Sequence, residues 1–248
     1  MSKSIHIFGF HSVESLLRTN PESVIKVFIL NNRKDKRVNE LVNTLTNQNI
    51  AFSSVDKNDL DRIAKGEIHQ GVISEVILPP LLNEESLFKS ISENSLKPLI
   101  LILDSIQDPR NLGACLRSAN AAGVDYVVIN KDGSAPINAV VHKTSAGAIN
   151  SLKIFHVTNL SRTIKEMQKR GIWVIGLDGN SKSTIYGVDL TDATAVVMGS
   201  EGKGIRKLIK KTCDQTVTIP MSGNIESLNV SVATGIALFE SKRQRESS

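Results

Sequence analysis

From Leu99 to the C-terminus, short apolar runs alternate with stretches of helical period, and that alternation constrains the fold more than any other feature. Strands are expected at 99–103, 126–130, 154–157, 173–177, 195–198 and 215–219, with helices over 111–122, 138–145, 160–170, 203–211 and 229–243. The pattern calls for a mostly parallel sheet covered by helices on both faces. Ligands in such folds sit beyond the carboxyl ends of the strands. The loops after Leu103, Met198 and Ile219 are at such ends, and they hold the chain's unusual residues. Their glycines and small polar residues leave main-chain groups free to hold a ligand, so a site built largely of backbone is expected there.

A smaller α/β unit precedes this region. Strands are expected at Ile5–Phe8, Ile25–Leu30, Ile50–Ser54 and Gly71–Val76, with helices near His11–Arg18, Asp35–Thr46 and Asn58–Ile63. Leu78-Pro79-Pro80 stops the last strand, and Asn83–Ser95 is polar apart from Leu87, Phe88 and Ile91. The division that follows is an N-terminal domain at 1–76, a linker at 77–97 and a C-terminal domain at 98–248. The longest apolar runs fall well short of the roughly 18 to 20 residues that cross a bilayer. The start, Met1-Ser2-Lys3-Ser4-Ile5-His6, has no apolar leader, and Cys115 and Cys213 read as free thiols of a reducing cytoplasm. A net charge of +5 favours an anionic partner.

Gly199-Ser200-Glu201-Gly202-Lys203-Gly204 lacks the spacing of a phosphate loop and that of a dinucleotide site, so nucleotide hydrolysis and hydride transfer lose support. Its glycines also suit a plain strand-to-helix turn, and Glu201 suits a helix dipole. After it, Lys203, Arg206, Lys207, Lys210 and Lys211 fall on one helical face opposite Ile205, Leu208 and Ile209. That stripe is either a solvated face or a contact for a phosphate backbone. A second basic loop runs from Asn31 to Arg37. In Asp104-Ser105-Ile106-Gln107-Asp108-Pro109-Arg110-Asn111-Leu112-Gly113, Asn111 is placed to cap the next helix, and Arg117 can lean back toward the mouth of the same loop. The five histidines are scattered and the cysteines lack zinc spacing, so no metal site is expected.

Three ordered segments carry a resemblance. They are Leu103-Asp104-x-Ile106-x-Asp108-Pro109-x-Asn111-Leu112-Gly113-Ala114-x-x-Arg117-Ser118, then Met198-Gly199-Ser200-Glu201-Gly202-x-Gly204, then Ile219-Pro220-Met221 with Ser227-Leu228-Asn229-Val230-Ser231. Together they resemble the three motifs of the SpoU (TrmH-like) branch of the SPOUT RNA methyltransferases. Phe8-Gly9-x-His11-Ser12-Val13 and His69-Gln70-Gly71 resemble the RNA substrate-binding domain attached to bacterial members.

The resemblance implies a C-terminal sheet whose last segment forms a deep trefoil knot. It also implies a homodimer, and S-adenosylmethionine held in the knotted loops by Gly199, Ile219, Leu228, Leu177 and Met221. The implied reaction is 2′-O-methylation of a guanosine ribose in 23S ribosomal RNA, free or in a ribosome precursor. Its implied catalytic set is Arg117, Asn111, Glu201, Ser227 and Asn229, with Lys203, Arg206, Lys207 and Arg110 on the RNA. An arginine with a pKa above about 12 is a poor general base, so Arg117 is expected to stabilise the developing alkoxide. Two other readings stand beside this one: a transfer-RNA 2′-O-methyltransferase, and a non-catalytic RNA-binding ribosome-assembly factor.

Overall fold

A computed structural model of the protein describes residues 4–31, 33, 35–77, 82–94, 97–223 and 227–247. The first elements are β1 (Ser4–Phe8), α1 (Phe10–Thr19), β2 (Val24–Leu30), α2 (Lys36–Asn47), β3 (Phe52–Val55), α3 (Lys57–Ala64) and β4 (Val72–Ile77). Next come β5 (Leu82–Asn83), α4 (Glu84–Asn94), β6 (Leu99–Asp104), α5 (Pro109–Ala122), β7 (Tyr126–Asn130) and α6 (Ala139–Thr144). The chain closes with β8 (Lys153–Val157), α7 (Leu160–Lys169), β9 (Trp173–Leu177), β10 (Thr194–Gly199), α8 (Lys207–Thr212), β11 (Gln215–Val217) and α9 (Val230–Glu246).

Two units result. The first gathers the described residues of 1–80 with 137–151, and the second holds 81–136 with 152–248. In the first unit the sheet order is β1-β4-β2-β3. β4 is antiparallel to β1 and β2, and β3 is parallel to β2. Helical spacing puts Phe10, Val13 and Leu17 of α1 and Val38, Leu41 and Leu45 of α2 into one core with Val27, Ile29 and Val72. Asp35 and Asp56 cap α2 and α3, accepting from the N–H groups of Val38 and Asp59.

The second unit is a seven-stranded sheet in the order β11-β9-β10-β6-β7-β8-β5, parallel at every pairing. Every residue of β6, β7 and β10 is buried, as strands covered on both faces require. α9 turns Val230, Thr234, Ala237, Leu238 and Ser241 inward and packs along α5. At its far end the Arg245 guanidinium donates to the carbonyls of Leu190 (3.0 Å) and Lys97 (2.7 Å), pinning the last helix to the turns that lead into β10 and β6. No helix among the described residues is long and apolar enough to cross a membrane.

Three departures from the sequence reading have physical causes. The expected linker at 77–97 contains β5, paired with Phe155 and His156 of β8, and α4, whose Leu87 and Ile91 enter the large core. The few apolar residues of that polar stretch are one helical face. Leu78-Pro79-Pro80 is outside the described residues. The expected helix at 138–145 forms as α6, capped by Asn138 through the N–H groups of Val140 and Val141, but it clusters with the first unit. The expected helix at 203–211 is only the short α8, because Ser200–Gly204 folds back on itself instead. The knot implied by the resemblance depends on the path from β11 to α9, where residues 224–226 are outside the described ones.

His142 on α6 is 3% exposed, and its Nε2 has no hydrogen-bond partner among the described residues. Burial pushes its pKa down to about 4 from 6.5. Between those two values the unfolded chain holds a proton that the folded chain does not, so acid favours unfolding. Urea unfolding followed by circular dichroism should therefore lose up to about 3 kcal/mol of stability from this group as pH falls from 6.5 to 4, with full stability above 6.5. A slope in that window that His142→Leu leaves unchanged would refute the assignment.

Candidate active site

Strand order reverses between β6 and β10. From that point β6-β7-β8 runs one way and β10-β9-β11 the other, and ligands of open α/β sheets bind beyond the carboxyl ends at such a switch point. At that edge Gly199 pairs beside Asp104. The Asp104 side chain is fully buried and satisfied by three donors: the Arg206 backbone N–H (2.9 Å) on Oδ2, with Arg206 Nε (2.7 Å) and Ser105 Oγ (3.2 Å) on Oδ1. A buried carboxylate persists only when paired and hydrogen-bonded in this way. Ser105 takes a left-handed φ of 63°, and its N–H donates to Asn130 Oδ1 (2.8 Å).

The second loop closes over Gly199. Ser200 N–H donates to the Gly204 carbonyl (3.1 Å) and Gly204 N–H to the Ser200 carbonyl (2.8 Å). A Cβ on Gly199 would lie 2.0 Å from the Gly204 carbonyl carbon and 2.1 Å from Ile205 N. Glycine at 199 is thus required by main chain crossing main chain.

This packing presents Glu201 to the loop after β6. Asn111 Nδ2 donates to Glu201 Oε2 (2.9 Å), and Asn229 Nδ2 donates to Glu201 Oε1 (3.3 Å) and Asn111 Oδ1 (3.1 Å). Asn229 caps α9, its Oδ1 accepting from Ser231 N (2.9 Å) and Oγ (2.6 Å). With Oδ1 committed to the helix, its amide nitrogen must face Asn111 and Glu201. Asp108, not Asn111, caps α5, accepting from Arg110 N–H (2.8 Å) with Pro109 behind it. Asn111 is left for the cluster.

The structure therefore unites Asn111, Glu201 and Asn229, one from each motif. Arg117 and Ser227 stay exposed, and neither forms a side-chain hydrogen bond or ion pair among the described residues. Leu177 and Gly199 end β9 and β10, and Ile219 follows β11, so they share the carboxyl edge of three adjacent parallel strands. Leu177, Ile219 and Leu228 are half-buried and Met221 is exposed. The basic stripe does not form as a helix face. Lys203 is in the turn, Arg206 serves Asp104, and Lys210 pairs with Asp178. Arg110 and Lys207 are exposed on the first turns of α5 and α8.

Sequence reasoning missed the role of Asp104. Its signal was an acidic residue ending a wholly apolar strand. Burial holds Cys115 up at about 11, and burial with Asp214 nearby takes Cys213 up to about 12, so both are thiols at neutral pH and poor nucleophiles. Among the described residues there is no group of three or more His, Cys, Asp or Glu able to hold a metal.

Residues 98–239 match the model of the SpoU rRNA methylase family, and residues 6–80 match that of the RNA 2′-O ribose methyltransferase substrate-binding domain. The chain is 47% identical over 243 residues to the 23S rRNA (guanosine-2′-O-)-methyltransferase RlmB of Haemophilus ducreyi, covering 98% of each chain. It is 44% identical over 239 residues to that of Escherichia coli, covering 96% of this chain and 98% of the relative. The fold is similar to that of the SpoU methyltransferase AviRb of Streptomyces viridochromogenes solved with AdoMet, at a TM-score of 0.81 and 21% identity, over 99% of this chain and 92% of that one.

The two loop glycines should differ sharply when replaced. Gly199→Ala should cost about 3 kcal/mol or more, since backbone must move. Gly202 has φ +75° but nothing within 4 Å of an added Cβ, so Gly202→Ala should cost only about 1 kcal/mol. Equal losses in thermal unfolding would contradict the crossing at Gly199.

Proposed function

The chain belongs to the SpoU rRNA methylase family, and we propose that it transfers the methyl group of S-adenosylmethionine to the 2′-hydroxyl of a guanosine ribose in 23S ribosomal RNA. The observation that carries this reading is the Asn111–Glu201–Asn229 cluster, in which three motifs distant in sequence meet at the switch point of the sheet.

The residues beyond β9, β10 and β11 fit the cofactor. Half-buried Leu177, Ile219 and Leu228 offer aliphatic walls to a purine, and Met221 extends them. Their place beyond the carboxyl ends of parallel strands is where ligands bind in such sheets. When bound, S-adenosylmethionine supplies an electrophilic methyl on a sulfonium. The chain's own task is to present the ribose hydroxyl in line and, as its proton passes to water, to stabilise the negative charge left on its oxygen while the O–C bond forms and the S–C bond breaks. We assign that charge stabilisation to Arg117, whose guanidinium has no competing carboxylate among the described residues of its own chain. Glu201 and Asn229, cross-linked through Asn111, hold the loop geometry and orient the target nucleotide, with Ser227 beside them. Arg110, Lys203 and Lys207 meet the RNA backbone, joined by the exposed part of Arg206.

The first unit selects the RNA, in keeping with its match to a substrate-binding model. We further propose a homodimer. α9 turns Val232 (50% exposed) and Phe239 (47%) outward with Ile236 between them, a second apolar stripe opposite the one packed on α5. The place of action is the cytoplasm, on ribosomal RNA or an assembling particle.

Labelled methyl transfer to protein-free 23S RNA and to transfer RNA, mapped by resistance of the modified linkage to alkali, tests the reading. One protected guanosine in 23S RNA is expected, and labelling of transfer RNA alone would reassign the substrate. Arg117→Lys should lower turnover by about 100-fold with cofactor affinity unchanged, because a compact ammonium cannot reproduce the guanidinium fork. Near wild-type turnover would remove the guanidinium role. Phe239→Lys should shift the protein toward monomer in sedimentation, and an unaltered mass would place any dimer interface elsewhere.

A further inference from the structure

The first unit has a cleft of about 400 Å³ that the methyl-transfer site does not use. It forms where the loops after β1, β2 and β3 and the loop before β4 come together at one end of the sheet. The joins are Gly9 N–H on the Val72 carbonyl (3.1 Å), Leu30 N–H on the Gly71 carbonyl (2.9 Å) and Asn31 N–H on the Val55 carbonyl (2.7 Å). Both N-terminal motifs, Phe8-Gly9-x-His11 and His69-Gln70-Gly71, end up at this place: a Cβ on Gly9 would lie 3.2 Å from Gln70 Oε1, and one on Gly71 3.0 Å from Arg33 Nη1.

The lining has a definite chemistry. Its two carboxylates are occupied, Asp61 by His69 Nε2 (3.0 Å) and Glu67 by Lys143 Nζ (3.2 Å). His69 Nδ1 accepts from Gly71 N–H (3.1 Å), which puts the ring proton on Nε2 and fixes the imidazole. Arg33 is held rigid by Asp35 and the Gln70 carbonyl, with its guanidinium 4.7 Å from the centre of the Phe10 ring. Lys57 is exposed and has no hydrogen-bond or ion-pair partner among the described residues. Ile68 is 69% exposed, the most exposed large hydrophobic residue among those described. Gln70 takes a left-handed φ of 54°, a strained setting for a side chain at a cleft rim.

An uncommitted cation, an aliphatic plate, an amide and a volume within the roughly 300–1,000 Å³ of small-ligand sites suit one nucleotide: phosphate on Lys57, base over Ile68, base edge toward Gln70. We infer that this cleft takes a single unpaired nucleotide of the RNA, separate from the guanosine that is methylated. The inference rests on the RNA-modifying reading and supplies the recognition element that reading leaves unassigned.

Lys57→Ala and Ile68→Ala change only exposed side chains. Equilibrium binding of protein-free 23S RNA, with transfer RNA as competitor, is compared with base-probing footprints and with methyl transfer at varied RNA. Each variant should weaken RNA binding about tenfold. Each should also lose protection of one unpaired nucleotide distant from the methylated guanosine and raise the KM for RNA. kcat and S-adenosylmethionine affinity should hold. Unchanged affinity and unchanged footprints in both variants would overturn the inference. Wild-type protein that shows the footprint but transfers no methyl would instead overturn the reaction and leave the cleft standing.

Discussion

The second unit's site depends on one buried carboxylate. Asp104 ends β6, and its oxygens take both the backbone N–H and the Nε of Arg206, which lies beyond the loop that follows β10. That bond closes the loop as a staple would, from the far side of the strand pair. Within the closed loop the Gly204–Ile205 backbone rests on Gly199, and the Ser200–Gly204 bridge turns Glu201 toward α5. Desolvation makes this arrangement nearly all-or-none. With Asp104 at 0% side-chain exposure, loss of the arginine leaves a charge that water cannot reach. The polar cluster above inherits its geometry from this pairing, while its own members remain exposed or half-buried and individually weak.

The alternation of apolar runs and helical periods gave the parallel sheet its strands, because strands buried on both faces leave an unbroken hydrophobic trace. The same logic hid β5 and α4. A two-residue edge strand has no period to detect, and α4 places Leu87 and Ile91 in the core from an otherwise polar stretch. The assignment of α6 to the first unit could not be read locally either. Its cap, Asn138, is ordinary, and only the three-dimensional clustering shows which unit it joins.

For the site, position in the motifs was informative and charge pattern was misleading. Asn111 and Asn229 stand at the starts of α5 and α9 and Glu201 in the turn after β10, and such strand and helix ends are visible in sequence. The basic stripe needs helical spacing to run through Gly204, whose φ of 64° no α-helix contains. Once the helix shortens to Lys207–Thr212, Arg206 and Lys210 prove to be counter-ions of Asp104 and Asp178. A run of positive charges says nothing about which members are already committed to carboxylates of the fold, and that commitment is a tertiary fact.

Arg117 poses the opposite case. Arginines on this chain that serve structure are visibly engaged: Arg206 by Asp104, Arg243 by Glu240, Arg37 bidentately by Glu14, and Arg245 by a set of carbonyls. Arg117 is exposed on α5 and has no such partner among the described residues. A guanidinium already neutralised by a carboxylate delivers little field to a charge forming elsewhere, and one free in water is screened. On the proposed reading, Arg117 acts in a setting where bound RNA excludes water around it without adding a carboxylate. The outward apolar stripe of α9 is the surface on which the proposed second copy would dock, and it faces away from the side of α9 that packs on α5. The freedom of Arg117 and the open face of α9 are therefore independent supports of the proposed reading, one electrostatic and one apolar.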